Sequence, residues 1–192
     1  MKKITNNSLL VSGITLSVLA ISSYTNESVA SDYYSDTGIS RETKVAGDSC
    51  EISEQQQHML QLINEARSQE RYCGENLYQA AAPLSWSCQL GSAAAGHTKD
   101  MTKYNFVGHT GSNGLRAGDR LLASGYDWHY YGENLAAGFI FAEEALEGSL
   151  SNSGHCANIM NSEVTRFGSY MTFSESLEYQ SYWTQLFAAP TR

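Results

Sequence analysis

The chain is short of positive charge, of long apolar runs and of ready-made catalytic motifs. Twelve Lys and Arg stand against twenty Asp and Glu, a net charge of −8 at pH 7. A balance of that sign disfavours nucleic acid and anionic membrane surfaces as primary partners, because both present phosphate. The one extended apolar stretch, Leu9 to Ile21, is diluted by Ser and Thr and falls short of the roughly 18 residues a stable span needs. There is no His-Glu-x-x-His, no Cys-x-x-Cys and no Gly-x-Ser-x-Gly. The sequence therefore lacks the usual signatures of a zinc-protease helix, a redox dithiol and a hydrolase serine elbow. It also has no internal repeat and no low-complexity tract.

What is present begins with a leader. Lys2 and Lys3 precede the apolar stretch, and Ser28-Val29-Ala30 follows it as a small-x-small cleavage site. This is the layout of a secretory signal peptide over residues 1–30, with Ser31 as the new N-terminus. No cysteine follows closely, so a lipid-anchored start is not expected. Residues 31–52 read as a flexible leader, because Ser31 to Asp48 is polar and without apolar periodicity. Residues 53–192 suit one domain with a single core. Removing Lys2, Lys3 and Glu27 leaves 10 basic and 19 acidic residues, a charge of about −9.

A secreted or periplasmic location sets the redox context. Cys50, Cys73, Cys88 and Cys156 all follow the leader. An even count in an oxidising compartment predicts two disulfides, with three possible connectivities. A thiolate nucleophile is correspondingly disfavoured.

Ser53 to Gln56 matches a capping box, and Met59, Leu62, Ile63 and Ala66 follow at helical spacing, predicting a helix to about Gln69. Cys73-Gly74 opens a loop through Pro83. A second helix is expected over Ser87 to Tyr104, with Leu90, Ala93, Ala94, His97 and Met101 on its apolar face and His97 turned toward the core. A third fits Ala117 to Ser124, stopped by Gly125, and a fourth Ala142 to Leu150. Trp128 to Asn134, Val164 to Thr172 and Tyr179 to Phe187 are rich in aromatic and β-branched residues. They read as antiparallel strands, with turns at Asn161-Ser162 and near Ser174-Glu175. Helices first and strands late argue for an α+β layered domain.

Three places set a metal-capable side chain beside glycine: His109 in Gly108-His109, Glu133 in Gly132-Glu133, and His155 in Gly154-His155. Two imidazoles and a carboxylate can hold a divalent ion with a position left open. The alternative is three unrelated polar residues. His155 beside Cys156 suggests a nucleophile–base dyad, yet neighbours on a helix or strand point apart.

Phe106-Val107-Gly108-His109, then Tyr131-Gly132-Glu133-Asn134-Leu135-Ala136-Ala137-Gly138, then Asn152 through Met160 resemble the CAP superfamily. That group holds the cysteine-rich secretory, antigen-five and pathogenesis-related proteins, and the likeness is to its bacterial secreted, single-domain branch. Ile63-Asn64-Glu65-Ala66-Arg67, Pro83-Leu84-Ser85-Trp86, Arg120 through Gly125-Tyr126 and Tyr182-Trp183-Thr184-Gln185 agree in order. The resemblance spans roughly Glu54 to Phe187. It implies an α-β-α sandwich with a central antiparallel sheet flanked by helices. It also implies a surface cleft gathering a His-Glu-Glu-His tetrad, which in several members holds a divalent cation.

By that resemblance His109, Glu133 and His155 fill three tetrad positions. The second glutamate's place falls to Asn152, with Glu147 and Glu163 as the nearest carboxylates. Ser149 stands where the branch usually has Trp, and Arg166 where it usually has Glu. The resemblance also suggests the disulfides Cys73–Cys156 and Cys50–Cys88.

The functional expectation is a ligand-binding module with a cleft for a lipid or cell-envelope component. It includes a site for a divalent cation, Zn or Mg, at His109, Glu133 and His155, and no organic cofactor. Trp128, Tyr130 and Tyr131 could line a ligand groove or serve the sheet and core. The alternative is a metal-assisted, peptidase-like hydrolase using the same three residues for metal or acid–base work. No nucleic-acid partner and no membrane span after leader cleavage are expected, and a conventional enzyme is the less favoured reading.

Overall fold

The computed structural model describes Thr43–Lys44 and residues 50–191. The expected signal peptide and most of the expected flexible leader lie outside the described residues. A short antiparallel pair, β1 (Thr43–Lys44) with β2 (Glu51–Ile52), precedes the first helix.

Helix α1 (Glu54–Arg67) starts on the expected capping box. The Gln56 amide donates to the Ser53 hydroxyl, and the Gln56 side-chain oxygen accepts from the Ser53 amide. Gln56 Nε2 also donates to the Ser169 carbonyl at 3.0 Å, so the cap ties the helix to the sheet. The helix ends at Arg67, two residues before Gln69. Arg67 is fully buried. Its guanidinium donates to the carbonyls of Ala82, Ile159 and Asn161. Burial without a carboxylate partner pushes its pKa down to about 10.

The stretch expected as loop contains a hairpin, β3 (Arg71–Cys73) and β4 (Asn76–Tyr78). Gly74 turns it with φ +64°, a conformation open to glycine and costly for other residues. After β5 (Ser85–Trp86) comes α2 (Cys88–Tyr104), capped by the Ser87 hydroxyl. Helix α3 (Ala117–Ala123) ends in a Schellman pattern. Gly125, at φ +83°, donates to Leu122, and Tyr126 donates to Leu121. The last elements are β6 (Trp128–Ala137), α4 (Ala142–Ser151), α5 (Ser153–Met160), β7 (Arg166–Phe173) and β8 (Ser181–Pro190).

The main sheet runs in the order β5-β7-β8-β6. Its three long strands are antiparallel, as expected, and β5 adds a two-residue parallel edge. Strand β8 is central, and every residue from Ser181 to Ala189 is buried. Alternate side chains serve opposite layers. Trp183 and Phe187 pack with Met59 and Ile63 of α1, Ala145 of α4 and Ile159 of α5. Leu186 and Ala188 pack with Leu90 and Ala94 of α2 and Leu121 of α3. The result is an α-β-α sandwich.

Helix α2 lies so close to β7 that a Cβ on Gly168 would sit 2.3 Å from the Gly91 amide nitrogen. Two disulfides brace the domain. Cys50–Cys88 ties the first strands to the start of α2, and Cys73–Cys156 ties the hairpin to α5. This is the pairing that the family resemblance suggested. His97 is buried, as the helical stripe predicts, and its Nε2 bonds the Gly108 carbonyl at 2.9 Å.

Candidate functional site

Strand β6 forms the free edge of the main sheet, and the site assembles around that edge. Glu133 pairs in register with Leu186, so its side chain faces the α2–α3 layer. The next residue, Asn134, turns to the α5 layer, where it accepts from Asn158 Nδ2 at 2.9 Å and donates to the His155 carbonyl at 3.2 Å. One residue step on β6 thus links the two layers that carry the histidines. Gly132 allows this packing, because a Cβ there would meet the Asn158 side chain at 2.7 Å.

His109 lies in the loop between α2 and α3. Its Nδ1 meets Glu133 Oε1 at 2.8 Å, while its own side chain is 61 % exposed. The carboxylate accepts at Nδ1, so Nδ1 carries the proton and Nε2 is left to face a ligand. The hydrogen bond to Glu133 raises the pKa of His109 above the ordinary imidazole value. Glu133 is 3 % exposed at its side chain, and its other oxygen, Oε2, accepts from Arg120 Nη2 at 2.6 Å. Arg120 Nη1 is fixed in turn by the Leu115 carbonyl at 2.7 Å. A chain from Arg120 to Glu133 to His109 therefore aims one imidazole outward.

His155 occupies the first turn of α5. Burial lowers its pKa first, and the positive charge on His109 lowers it further. Its main chain is pinned on both sides. The amide donates to Asn152 Oδ1 at 3.0 Å, the carbonyl accepts from Asn134, and Cys156 is held in its disulfide. Cys156 has no thiol, which removes the dyad.

The structure brings His109 and Glu133 into direct contact and places His155 within electrostatic reach. Glu133 is bonded to His109 through one oxygen and to Arg120 through the other. Among the described residues, no three His, Cys, Asp or Glu converge as a ligand cluster. Asn152 is the N-cap of α5, with its oxygen committed to the Gly154 and His155 amides. Arg166 donates to the Thr165 carbonyl, so the cation beside Glu133 is Arg120, not the unexpected arginine of β7. Ser149 is buried and bonded to the Ala145 carbonyl. Trp128 and Tyr131 stack edge-on at 4.5 Å, and the Trp128 indole donates to Gly118 of α3. These two aromatics serve helix–sheet packing.

The residue that sequence reasoning missed is Arg120. Its position in a family-like third helix was visible, but no spacing rule connects a helix arginine with a carboxylate thirteen residues on.

The fold and site together define a class: a helix–sheet–helix sandwich, braced by two disulfides, with a His–Glu pair at one edge of its sheet. The model of the cysteine-rich secretory protein family, CAP, matches residues 60–187, and the chain belongs to that family. Two Bacillus subtilis (strain 168) relatives are similar. The uncharacterized membrane protein YlbC is 32 % identical over 87 residues, covering 45 % of this chain and 25 % of its own length. The uncharacterized protein YkwD is 28 % identical over 113 residues, covering 59 % of this chain and 42 % of its own. The chain thus matches less than half the length of either relative.

Among solved structures, an extracellular SCP-domain protein from Bacillus anthracis str. Ames aligns with a TM-score of 0.57 at 30 % identity, over 70 % of this chain and 40 % of that one. An outer surface protein from Borrelia burgdorferi aligns at 0.59 with 14 % identity, over 80 % of this chain and 100 % of its own, a likeness of fold. Among the described residues, no helix is long and apolar enough to cross a membrane.

Proposed function

We propose that this protein is a secreted CAP module whose edge cleft binds an extracellular or cell-envelope ligand through His109 and His155, and that it is not a hydrolase. The observation that carries this reading is the commitment of both Glu133 oxygens, one to His109 and one to Arg120. A carboxylate held this way orients an imidazole and is a poor general base for water. Among the described residues, no serine or cysteine side chain is hydrogen-bonded to the ring of His109 or His155, and Cys156 is a cystine. Two disulfides and a family rich in secreted members support export.

The donor set partly fits a divalent cation. Two imidazole nitrogens with a carboxylate behind one of them suit Zn, which favours nitrogen ligands, and suit Mg poorly, since Mg favours oxygen. A bound Zn would supply a Lewis-acid docking point for a carbonyl or anionic group of the ligand. Arg120 and Glu133 hold His109 in the ligating tautomer, and Asn152 and Cys156 fix the direction of His155.

Calorimetric titration with Zn, comparing the wild-type protein with His109→Ala, tests the reading. One equivalent bound by wild type and lost in the variant is expected, alongside no peptidase activity with or without metal. Turnover of a peptide substrate that disappears in Glu133→Gln would overturn it in favour of the hydrolase.

A further inference from the structure

Strand β6 leaves a row of main-chain groups without partners along the open edge of the main sheet. Its register with β8 sets Ala137 opposite Tyr182, and so Gly138 opposite Ser181. The Gly138 amide donates to the Ser181 carbonyl at 3.1 Å. In an antiparallel ladder bonded and non-bonded pairs alternate, so the amides and carbonyls of Ala137, Leu135 and Glu133 turn away from β8. The Glu133 carbonyl shows this directly, because it accepts from Asn158 Nδ2 of α5 at 3.4 Å. Among the described residues, nothing bonds the outward amide or carbonyl of Leu135 or Ala137.

The usual protections of a free edge are missing from this end of the strand. Lys, Pro or a bulge commonly blunts such an edge. Trp128–Ala137 contains no Lys, Arg or Pro, and its bulge lies at the other end, between Trp128 and Tyr130. Gly132 to Leu135 are buried, Ala136 and Ala137 half-buried and Gly138 exposed, so the row opens toward its C-terminal end. A Cβ added at Gly138 would meet nothing within 4 Å. The two histidines attach to the same strand from opposite faces. His109 bonds the Glu133 side chain, and the His155 carbonyl accepts from that of Asn134.

We propose that the ligand of this cleft is an extended peptide segment, which adds to the main sheet as a strand beside β6 and bonds Leu135 and Ala137. The inference rests on the reading of the cleft as a ligand site and names the class of that ligand. An extended chain presents an amide and a carbonyl to one side at every second residue, about 7 Å apart, the repeat of the row itself. A second copy of the domain fits less well, because helices flank both faces of β6. The Trp128 indole bonds Gly118 of α3, and the Asn158 side chain of α5 lies against Gly132. Glu133 and Arg120 offset each other and the net charge is −8, so an uncharged or basic peptide is favoured over an acidic one.

The test is an NMR titration of the full chain with the uncharged pentapeptide Ac-Thr-Val-Thr-Val-Thr-NH2. Saturable shifts and slowed hydrogen exchange are expected at the Leu135 and Ala137 amides. The dissociation constant should be about 1 mM, the strength of about four main-chain hydrogen bonds. The same peptide methylated at every amide nitrogen should bind at least about tenfold more weakly, since it has no N–H to donate. Proline is tolerated where a strand amide faces outward. Ala137→Pro should therefore stay folded and lose the peptide.

Four results would each overturn the proposal. The first is no saturation at those amides below about 10 mM peptide. The second is equal binding of the methylated peptide, which needs no variant to interpret, and the third is undiminished binding in folded Ala137→Pro. The fourth is protection of the two amides that grows with protein concentration without peptide, which would assign the edge to a second copy. A Zn titration of the same sample keeps the two readings apart. Zn uptake without peptide pairing ends this inference alone, and peptide pairing without Zn uptake upholds it while ending the cation site.

Discussion

Replacing Glu133 by Gln removes one charge from a buried pair and leaves the shape of the site unchanged. Arg120 Nη2 and Glu133 Oε2 are 2.6 Å apart, with side chains 10 % and 3 % exposed, so water screens the pair weakly. Removing one member of such a pair costs about 3–5 kcal/mol, because the remaining charge stays desolvated. Gln keeps an acceptor for Arg120, and that hydrogen bond returns about 1 kcal/mol. The net loss expected is about 3 kcal/mol. For a domain of this size that lowers the melting temperature by about 10 °C.

The same change removes the carboxylate that raises His109, so the His109 pKa should fall toward the ordinary imidazole value in an NMR titration. A thermodynamic cycle with Arg120→Met isolates the pair, and a coupling of about 2 kcal/mol is expected. The coupling should survive about 1 M salt, since burial protects it from screening. A Glu133→Gln loss under about 0.5 kcal/mol, the size of an ordinary surface change, would refute the reasoning. It would mean that attraction and desolvation cancel here and that the pair does not anchor the cleft.

Other perturbations follow from the same structure. Replacing Cys73 and Cys156 together by Ala opens a crosslink spanning 83 residues, which on the chain-entropy account should cost about 4.5 kcal/mol by calorimetry. Gly168→Ala drives a Cβ into the α2 backbone and should cost about 3 kcal/mol or more in urea unfolding. His97 and His155 are held below the ordinary imidazole pKa, chiefly by burial. Their neutral forms stabilise the fold above about pH 6.5, and that contribution is lost as pH falls through the folded pKa values. His109 acts oppositely: its contribution is complete below about pH 6.5 and is lost as pH rises through its raised value. Urea midpoints should therefore fall on acidification, and His97→Gln should flatten that slope.

Much of the fold was legible because local signals agreed with tertiary ones. The capping box at Ser53, the stripe from Leu90 to Met101 and Gly125 after the third helix each have a physical cause that acts within a few residues. The helix at Ser153–Met160 carried weaker cues: it is short, and its first turn holds a glycine and a histidine. Its N-cap, Asn152, drew attention as an unfilled ligand position instead. The β3–β4 hairpin went unseen because its strands are three residues long and largely exposed. In the site, glycine neighbours and family spacing singled out His109, Glu133 and His155. The role of Glu133 depends on Arg120, and a contact between a helix and a sheet edge leaves no periodic trace in sequence.

The placement of β8 has a consequence for the order of events in synthesis. Among the described residues, strand β6 pairs only with β8 in the main sheet, and β7 has only the two-residue β5 on its other side. Until Ser181–Pro190 has been made, the long strands before it have no lengthy partner and their inward faces stay open. A ribosome-bound fragment ending before Ser181 should therefore remain protease-sensitive. The domain waits on one late segment that closes both layers at once, so folding is a single event deferred until that segment arrives.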